Sequence, residues 1–183
     1  ITLSTGVKEM AKRKALIRKL TAIETLGSVT LIATDKTGTL TTNKMKVKEV
    51  YFDQHRHTSL DQISALHEAF NLMLLNGILC STASLTGKND AVDILGDPTE
   101  AALLFMALEK KQLIDEIRSE WKLVEEIPFD SVAKKMTVKV KKADDSLTFS
   151  KGAPESILAV TNTILIDKKV VELTDSRKKE IEK

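Results

Sequence analysis

The spacing of hydrophobic and polar positions changes period several times along this chain, and each change marks an element. Val7, Met10, Ala11, Leu16, Ile17 and Leu20 recur among lysines and arginines, predicting an imperfect amphipathic helix over 7–20 with a cationic face. The β-branched, apolar run Val29 to Thr34 predicts a short buried strand. Met45-Lys46-Val47-Lys48 alternates and begins a second strand toward Tyr51 and Phe52. Ser59-Leu60-Asp61-Gln62 fits a capping box and opens a helix with Leu60, Ile63, Leu66, Phe70 and Met73 or Leu74 on one side. A polar loop from Ser81 to Asp93 follows. Asp97 as N-cap, Pro98 in the first turn and Glu100 at the third position then start another helix. Period two takes over in Lys122 to Ile127, Met136 to Val140 and Leu147 to Phe149, with spacings short enough for antiparallel hairpins. Ser156 to Val160 reads as a short helix. Ile164 to Ile166 and Val170 to Leu173 form a hairpin around Asp167-Lys168-Lys169, and a polar helix starts near Thr174. The pattern as a whole predicts a mixed α/β (α+β) protein: an initial strand of a parallel unit, then an antiparallel sheet with flanking helices.

Composition narrows the class. At 183 residues the chain holds one ordinary domain, or one domain and part of another. With 42% hydrophobic and 30% charged residues it is a globular sequence, not a disordered one. The first twenty residues hold six basic side chains against Glu9, although the whole chain carries only +2. Cys80 stands alone, which excludes an internal disulfide and suits a reducing compartment. No run of eighteen apolar residues exists, so no bilayer-spanning segment is expected; the longest apolar stretch, Ala69 to Ala83, is interrupted by Asn71 and Asn76 and reads as a buried helix. His55 and His57 have the chemistry to grip a metal, but an exposed polar loop accounts for them as well. Nothing points to nucleic acid.

The most informative stretch is Asp35-Lys36-Thr37-Gly38-Thr39-Leu40-Thr41. Asp35 falls at the carboxyl end of the predicted strand, where open α/β sheets bind ligands. A carboxylate there can attack a phosphoryl group and form an aspartyl-phosphate, dividing one hard hydrolysis into two easier steps. Lys36 offers a cation, Gly38 lets backbone come close, and the Thr37 and Thr39 hydroxyls can donate to phosphate oxygens. The same residue types also make ordinary turns.

This segment resembles the phosphorylation signature of the P-type cation-transporting ATPases. Met10-Ala11-Lys12-Arg13, Ala15-Leu16-Ile17-Arg18 and Ala22 to Ser28 resemble the family's approach to that signature, and Thr41-Thr42-Asn43-Lys44-Met45 its exit. Gly96-Asp97-Pro98-Thr99-Glu100, Pro128-Phe129-Asp130-Ser131 with Lys134 and Met136, and Lys151-Gly152-Ala153-Pro154-Glu155 are similar to its nucleotide-domain motifs, in the family's order. The resemblance covers nearly the whole chain and is nearest the branch that carries calcium, sodium and potassium. It implies three parts: a stalk helix and linker over 1–26 below a membrane helix, the first strand of a haloacid-dehalogenase-like phosphorylation domain over 27–43, and a nucleotide-binding domain over 44–183, cut short at its end.

The implied chemistry assigns residues. Asp35 becomes the phosphorylated nucleophile, assisted by Lys36 and Thr39, with magnesium on Asp35 and the Thr37 carbonyl. Phe129 stacks on adenine, Lys134 and Lys151 line the pocket, Gly152 allows close approach, and Glu100 approaches the adenine amino group. The capping box explains Glu100 equally well without a ligand. Related pumps often carry an arginine between the stacking ring and the pocket lysine; here Ser131, Val132 and Ala133 are uncharged. The opening Ile1-Thr2-Leu3 and the lack of membrane helices suit a cytoplasmic portion of a membrane-embedded pump, whose membrane helices, actuator domain and remaining phosphorylation domain would be its partners. The family's later threonine-glycine-aspartate and glycine-aspartate-glycine loops are missing, so these residues alone are expected to bind ATP without turnover. A nucleotide-binding module or regulatory relative without catalysis is the alternative. Calcium is the leading ion from the flanking text.

Overall fold

The computed structural model describes residues 2–19, 21–65, 67–86 and 93–182. Leu20 and Leu66, expected on helix faces, and residues 87–92 of the expected polar loop lie outside them. The chain divides into two compact units, Ile1–Asn43 and Lys44–Lys183.

In the first unit, α1 (Thr2–Lys12) and α2 (Thr21–Gly27) replace the single helix predicted over 7–20. The helix stops because Lys14 takes a left-handed backbone at φ 63°. The Ala15 N–H then reaches the Met10 carbonyl at 3.0 Å, and the Lys14 N–H the Ala11 carbonyl at 2.9 Å. That pair of bonds is a Schellman stop, which satisfies carbonyls at a helix end. The strand predicted over Val29 to Thr34 does not form: Leu31 and Ile32 are 85% and 78% exposed. A strand needs a neighbour for its N–H and C=O groups, and among the described residues of this unit none pairs with it.

The second unit is built on a three-stranded antiparallel sheet, β5 (Lys122–Asp130), β6 (Lys135–Lys142) and β7 (Asp145–Gly152), in that order. The β6–β7 ladder runs unbroken from Lys135↔Gly152 to Lys142↔Asp145, whereas β5 pairs with β6 through two register shifts. Alternation along β6 turns Met136, Val138 and Val140 inward with Phe149 of β7 onto Cys80. The other cluster centres on Phe70, Leu74 and Ile78 of α3 (Glu68–Leu79) and Leu104 and Ala107 of α4 (Pro98–Glu109), closed by Ile114 at the start of α5 (Ile114–Glu120). Helix α5 has no counterpart in the sequence reading. Helix α3 serves both clusters: Leu75 and Leu79 pack on the sheet side.

Small hairpins complete the unit. β1 (Val50–Phe52) pairs with β2 (His55–His57) across Asp53-Gln54, and β8 (Thr163–Ile166) with β9 (Lys169–Glu172) across Asp167-Lys168. All four turn residues have φ between 48° and 64°, the left-handed pair that a two-residue hairpin favours. His55 and His57 therefore belong to a strand, not a loop, and His57 stacks on Phe52 at 4.1 Å. In place of a polar loop, β3 (Ser84–Thr86) pairs with β4 (Asp93–Leu95). The helix expected to open at Ser59 is instead a single 3-10 turn, Leu60–Gln62, with no bond from the Ser59 side chain; α3 begins only at Glu68. Ile63 is extended at the break, and its carbonyl accepts from Lys110 Nζ at 2.6 Å in place of a helical N–H. Helix α6 (Pro154–Val160) follows β7, and α7 (Asp175–Ile181) follows β9.

Candidate functional site

In the second unit, three loop ends converge on a cavity of about 660 Å³. From α4 and its N-cap come Asp97, Thr99, Glu100 and Leu103; from β5, Phe129; from the β5–β6 turn, Lys134; and from β7 and the N-cap of α6, Lys151, Gly152 and Ala153. Thr82 and Met136 complete the wall. The lining is mostly apolar with a few convergent charges, the usual make-up of a small-molecule site. All five residues expected to bind nucleotide (Glu100, Phe129, Lys134, Lys151 and Gly152) lie on this one cavity.

The start of α4 is an N-cap, with Asp97 Oδ1 accepting from the Thr99 N–H at 2.7 Å and the Glu100 N–H at 3.3 Å. The carboxylate of Glu100 does not close a capping box. Its Oε1 takes Lys151 Nζ at 2.7 Å, while Oε2 accepts the Thr82 N–H at 2.8 Å, the Ala83 N–H at 2.9 Å, the Thr82 hydroxyl at 2.9 Å and the Ser81 hydroxyl at 3.2 Å. Burial alone would push this carboxyl up, but the Lys151 ammonium, the Thr82 hydroxyl and the Ala83 N–H outweigh it and hold it at about 2. Glu100 is thus an anion at any physiological pH.

The loop that holds Glu100 is itself gripped by Arg118 of α5. Its Nη2 donates to the carbonyls of Ile78 at 3.0 Å, Ser81 at 3.3 Å and Ala83 at 3.0 Å, and its Nε to Ile78 at 3.1 Å. Neither Thr82 nor Arg118 stands out in the sequence. Both act through contacts made 18 and 35–40 residues away, which no local pattern encodes.

Phe129 presents its ring to the cavity at 63% exposure. The turn after it is set by Asp130, whose Oδ1 accepts the Val132 N–H at 3.0 Å and the Ala133 N–H at 2.6 Å, and by Lys134 at φ 51°. Lys134 Nζ meets Glu155 Oε1 at 3.0 Å in an exposed pair. Glu155's own N–H at the start of α6, and then Lys134, hold that carboxyl below its ordinary value. Gly152 is required by packing: a Cβ there would run into the Lys134 carbonyl oxygen and lie 2.7 Å from Lys135 Cα. The neighbouring chain at Lys134 and Lys135 thus already approaches Gly152 closely.

In the first unit, Asp35 to Thr41 closes a turn of its own. Asp35 Oδ1 accepts the Lys36 N–H at 2.7 Å, and the Lys36 carbonyl accepts the Thr41 N–H at 3.1 Å and its hydroxyl at 3.2 Å. Gly38 sits at φ 76°, where a side chain would be strained. Asp35, Lys36, Thr37 and Thr39 are all exposed. No cluster of three or more His, Cys, Asp or Glu suited to a metal exists among the described residues, and none of the described helices is long and apolar enough to cross a membrane.

A helix-flanked antiparallel sheet with an aromatic and two lysines around a cavity defines an α+β domain. Residues 69–183 match the P-type ATPase cytoplasmic domain N, and the chain belongs to the P-type ATPase family. It is 35% identical over its whole length to a calcium-transporting ATPase of Bacillus subtilis, and covers 22% of that protein. It is 38% identical to the sodium/potassium-transporting ATPase subunit alpha-A of Artemia franciscana over 97% of this chain and 19% of that one. A plasma-membrane-type calcium-transporting ATPase of Arabidopsis thaliana is 38% identical over 86% of the chain and is covered to 15%. The chain therefore spans about a fifth of the length of such relatives.

Proposed function

We propose that these residues are the ATP-binding and phosphorylation-site portion of an ion-transporting P-type ATPase, cytoplasmic in an intact membrane-embedded pump. The observation that carries this reading is the meeting of Phe129, Glu100, Lys134 and Lys151 on one cavity. Adenine stacks on the Phe129 ring, and its amino group donates to Glu100. Lys151 is committed to Glu100 in a pair only 20% and 15% exposed, so it contributes its aliphatic stem and holds the acid in place. Lys134 shares its charge with Glu155 in a loose pair, 56% and 61% exposed, and is the lysine free to turn to a phosphate. Gly152 keeps the floor of the site flat.

In the intact pump the Asp35 carboxylate attacks the γ-phosphorus of ATP, forms an acyl-phosphate and releases ADP. Lys36 and the Thr39 hydroxyl stabilise the transferring oxygens. Magnesium fits here: Asp35 is exposed with only Oδ1 engaged among the described contacts, and Mg²⁺ is commonly held by one or two carboxylates together with substrate phosphates. Asp35 and the Thr37 carbonyl would hold it, and it would offset phosphate charge. Water then releases phosphate from Asp35, and the cycle drives a cation across a membrane; the calcium-transporting relatives make calcium the proposed ion. The membrane helices, actuator domain and remaining phosphorylation domain of the same pump are the proposed partners.

The test is an NMR titration of ATP into wild type and Phe129→Ala. Stacking of a base on an aromatic ring is worth about 1–3 kcal/mol, so affinity should fall by roughly 5- to 150-fold. Equal affinity in the two proteins would remove the nucleotide reading of the cavity.

A further inference from the structure

Glu100 is fixed mainly by a turn that has no assigned part in nucleotide binding. Four donors from Ser81, Thr82 and Ala83 fall on Oε2. A carboxylate oxygen has about two lone-pair directions, so Oε2 is saturated. What remains for a ligand is Oε1, shared with Lys151 Nζ at 2.7 Å. Two of the four donors are backbone N–H groups that any residue would supply. Of the two hydroxyls, Thr82's is the closer, at 2.9 Å against 3.2 Å for Ser81's, and Thr82 is exposed and lines the cavity.

We propose that Thr82 is a specificity-determining positioning residue, whose hydroxyl turns Glu100 so that Oε1 alone meets the edge of a purine and selects a 6-amino over a 6-oxo base. The inference rests on the nucleotide reading above and deepens it. An amino group donates to an anionic acceptor. A 6-oxo oxygen brings lone pairs against the same acceptor, and both lose water without gaining a bond. Discrimination of this kind needs an acceptor that neither rotates nor takes up a proton. The turn at Thr82 secures both by binding Oε2 and leaving Oε1 in place.

The experiment titrates ATP and inosine triphosphate into wild type, Thr82→Val, Thr82→Ala and Thr82→Ser, and follows the Glu100 carboxyl by carbon NMR against pH. Wild type and Thr82→Ser should prefer ATP alike. Thr82→Val and Thr82→Ala should narrow the ATP-to-inosine-triphosphate ratio on the order of three- to tenfold, from loss of one charge-assisted hydrogen bond, and raise the Glu100 titration midpoint. Thr82 is exposed, so neither variant opens a core cavity. An unchanged ratio in both hydroxyl-free variants overturns the proposal even if the midpoint rises, because Thr82 would then be structural only. Phe129→Ala in the same titrations separates the two ideas. If it weakens ATP while the Thr82 variants keep full selectivity, only this inference falls; if it too is without effect, the nucleotide reading falls and this inference with it.

Discussion

Replacing Glu100 by glutamine should cost stability before it affects anything else. The substitution keeps the shape but removes the charge that Lys151 and the Ser81–Ala83 turn share. It also turns an NH₂ group toward either the ammonium or the donors of the turn. Ionised Glu100 titrates at about 2 in place of 4.5. At about 1.4 kcal/mol per pKa unit, that is on the order of 3 kcal/mol of folding free energy at neutral pH. Solvent screens little of it, since the Glu100 and Lys151 side chains are only 15% and 20% exposed. For a unit of this size the loss corresponds to a fall in Tm of roughly 10 °C. The folded value is depressed, so the contribution is complete above the unfolded value and disappears as pH falls from about 5 toward 2. Scanning calorimetry of wild type and Glu100→Gln at pH 7 and near pH 2 tests the account. The gap should be wide at pH 7 and closed near pH 2. Equal Tm values at pH 7, or a gap of the same size near pH 2, would show that the charge is not what holds this corner together.

Gly152→Ala should destabilise by about 1–3 kcal/mol, because its Cβ meets the backbone of Lys134 and Lys135 rather than a flexible side-chain end; urea unfolding measures it, and a neutral result would mean that β6 and β7 separate easily. Asp97→Ala should cost about 0.5–2 kcal/mol through loss of the cap on α4, while Asp97→Asn, which keeps an acceptor, should cost less in the same assay. Radiolabelled ATP with magnesium and an acid quench should leave no acyl-phosphate on Asp35 in these 183 residues; hydroxylamine-sensitive label that vanishes in Asp35→Asn would show a catalytically complete chain.

What could be read beforehand follows from range. Asp97-Pro98 announced the start of α4 because a cap is chemistry among neighbours, and the alternation of Met136 to Val140 and Leu147 to Phe149 announced β6 and β7 because one face of each is buried. Spacing also placed a turn at Asp167-Lys168-Lys169, which the structure closes over the first two residues with Lys169 already paired. The predicted strand at Val29 to Thr34 has no paired neighbour among the described residues for the opposite reason: propensity marks a segment fit for a sheet, but only partners make one. The helix expected from Ser59 stops at an extended Ile63, whose carbonyl is taken up by Lys110, 47 residues on. Glu100 had the right position for a capping box, yet the turn at 81–83 and Lys151 outcompeted the helix end for its carboxylate. In the candidate site, residue types were legible and their division of labour was not. Two lysines look alike in sequence, and only burial separates the committed one, Lys151, from the loose one, Lys134.

Arg118 gathers the carbonyls of Ile78, Ser81 and Ala83 on one guanidinium. Loops usually open on their own, and their amides exchange with solvent long before the core does. This one cannot peel back residue by residue, because each bond it would break shares a cation with the others and an acid, Glu100, with the cavity. Its deuterium uptake should therefore follow that of α3 and α5 rather than that of the exposed turn at Asp130 to Lys134. The wall bearing the acid would then open only with the core, while the exposed turn that follows the aromatic ring exchanges earlier.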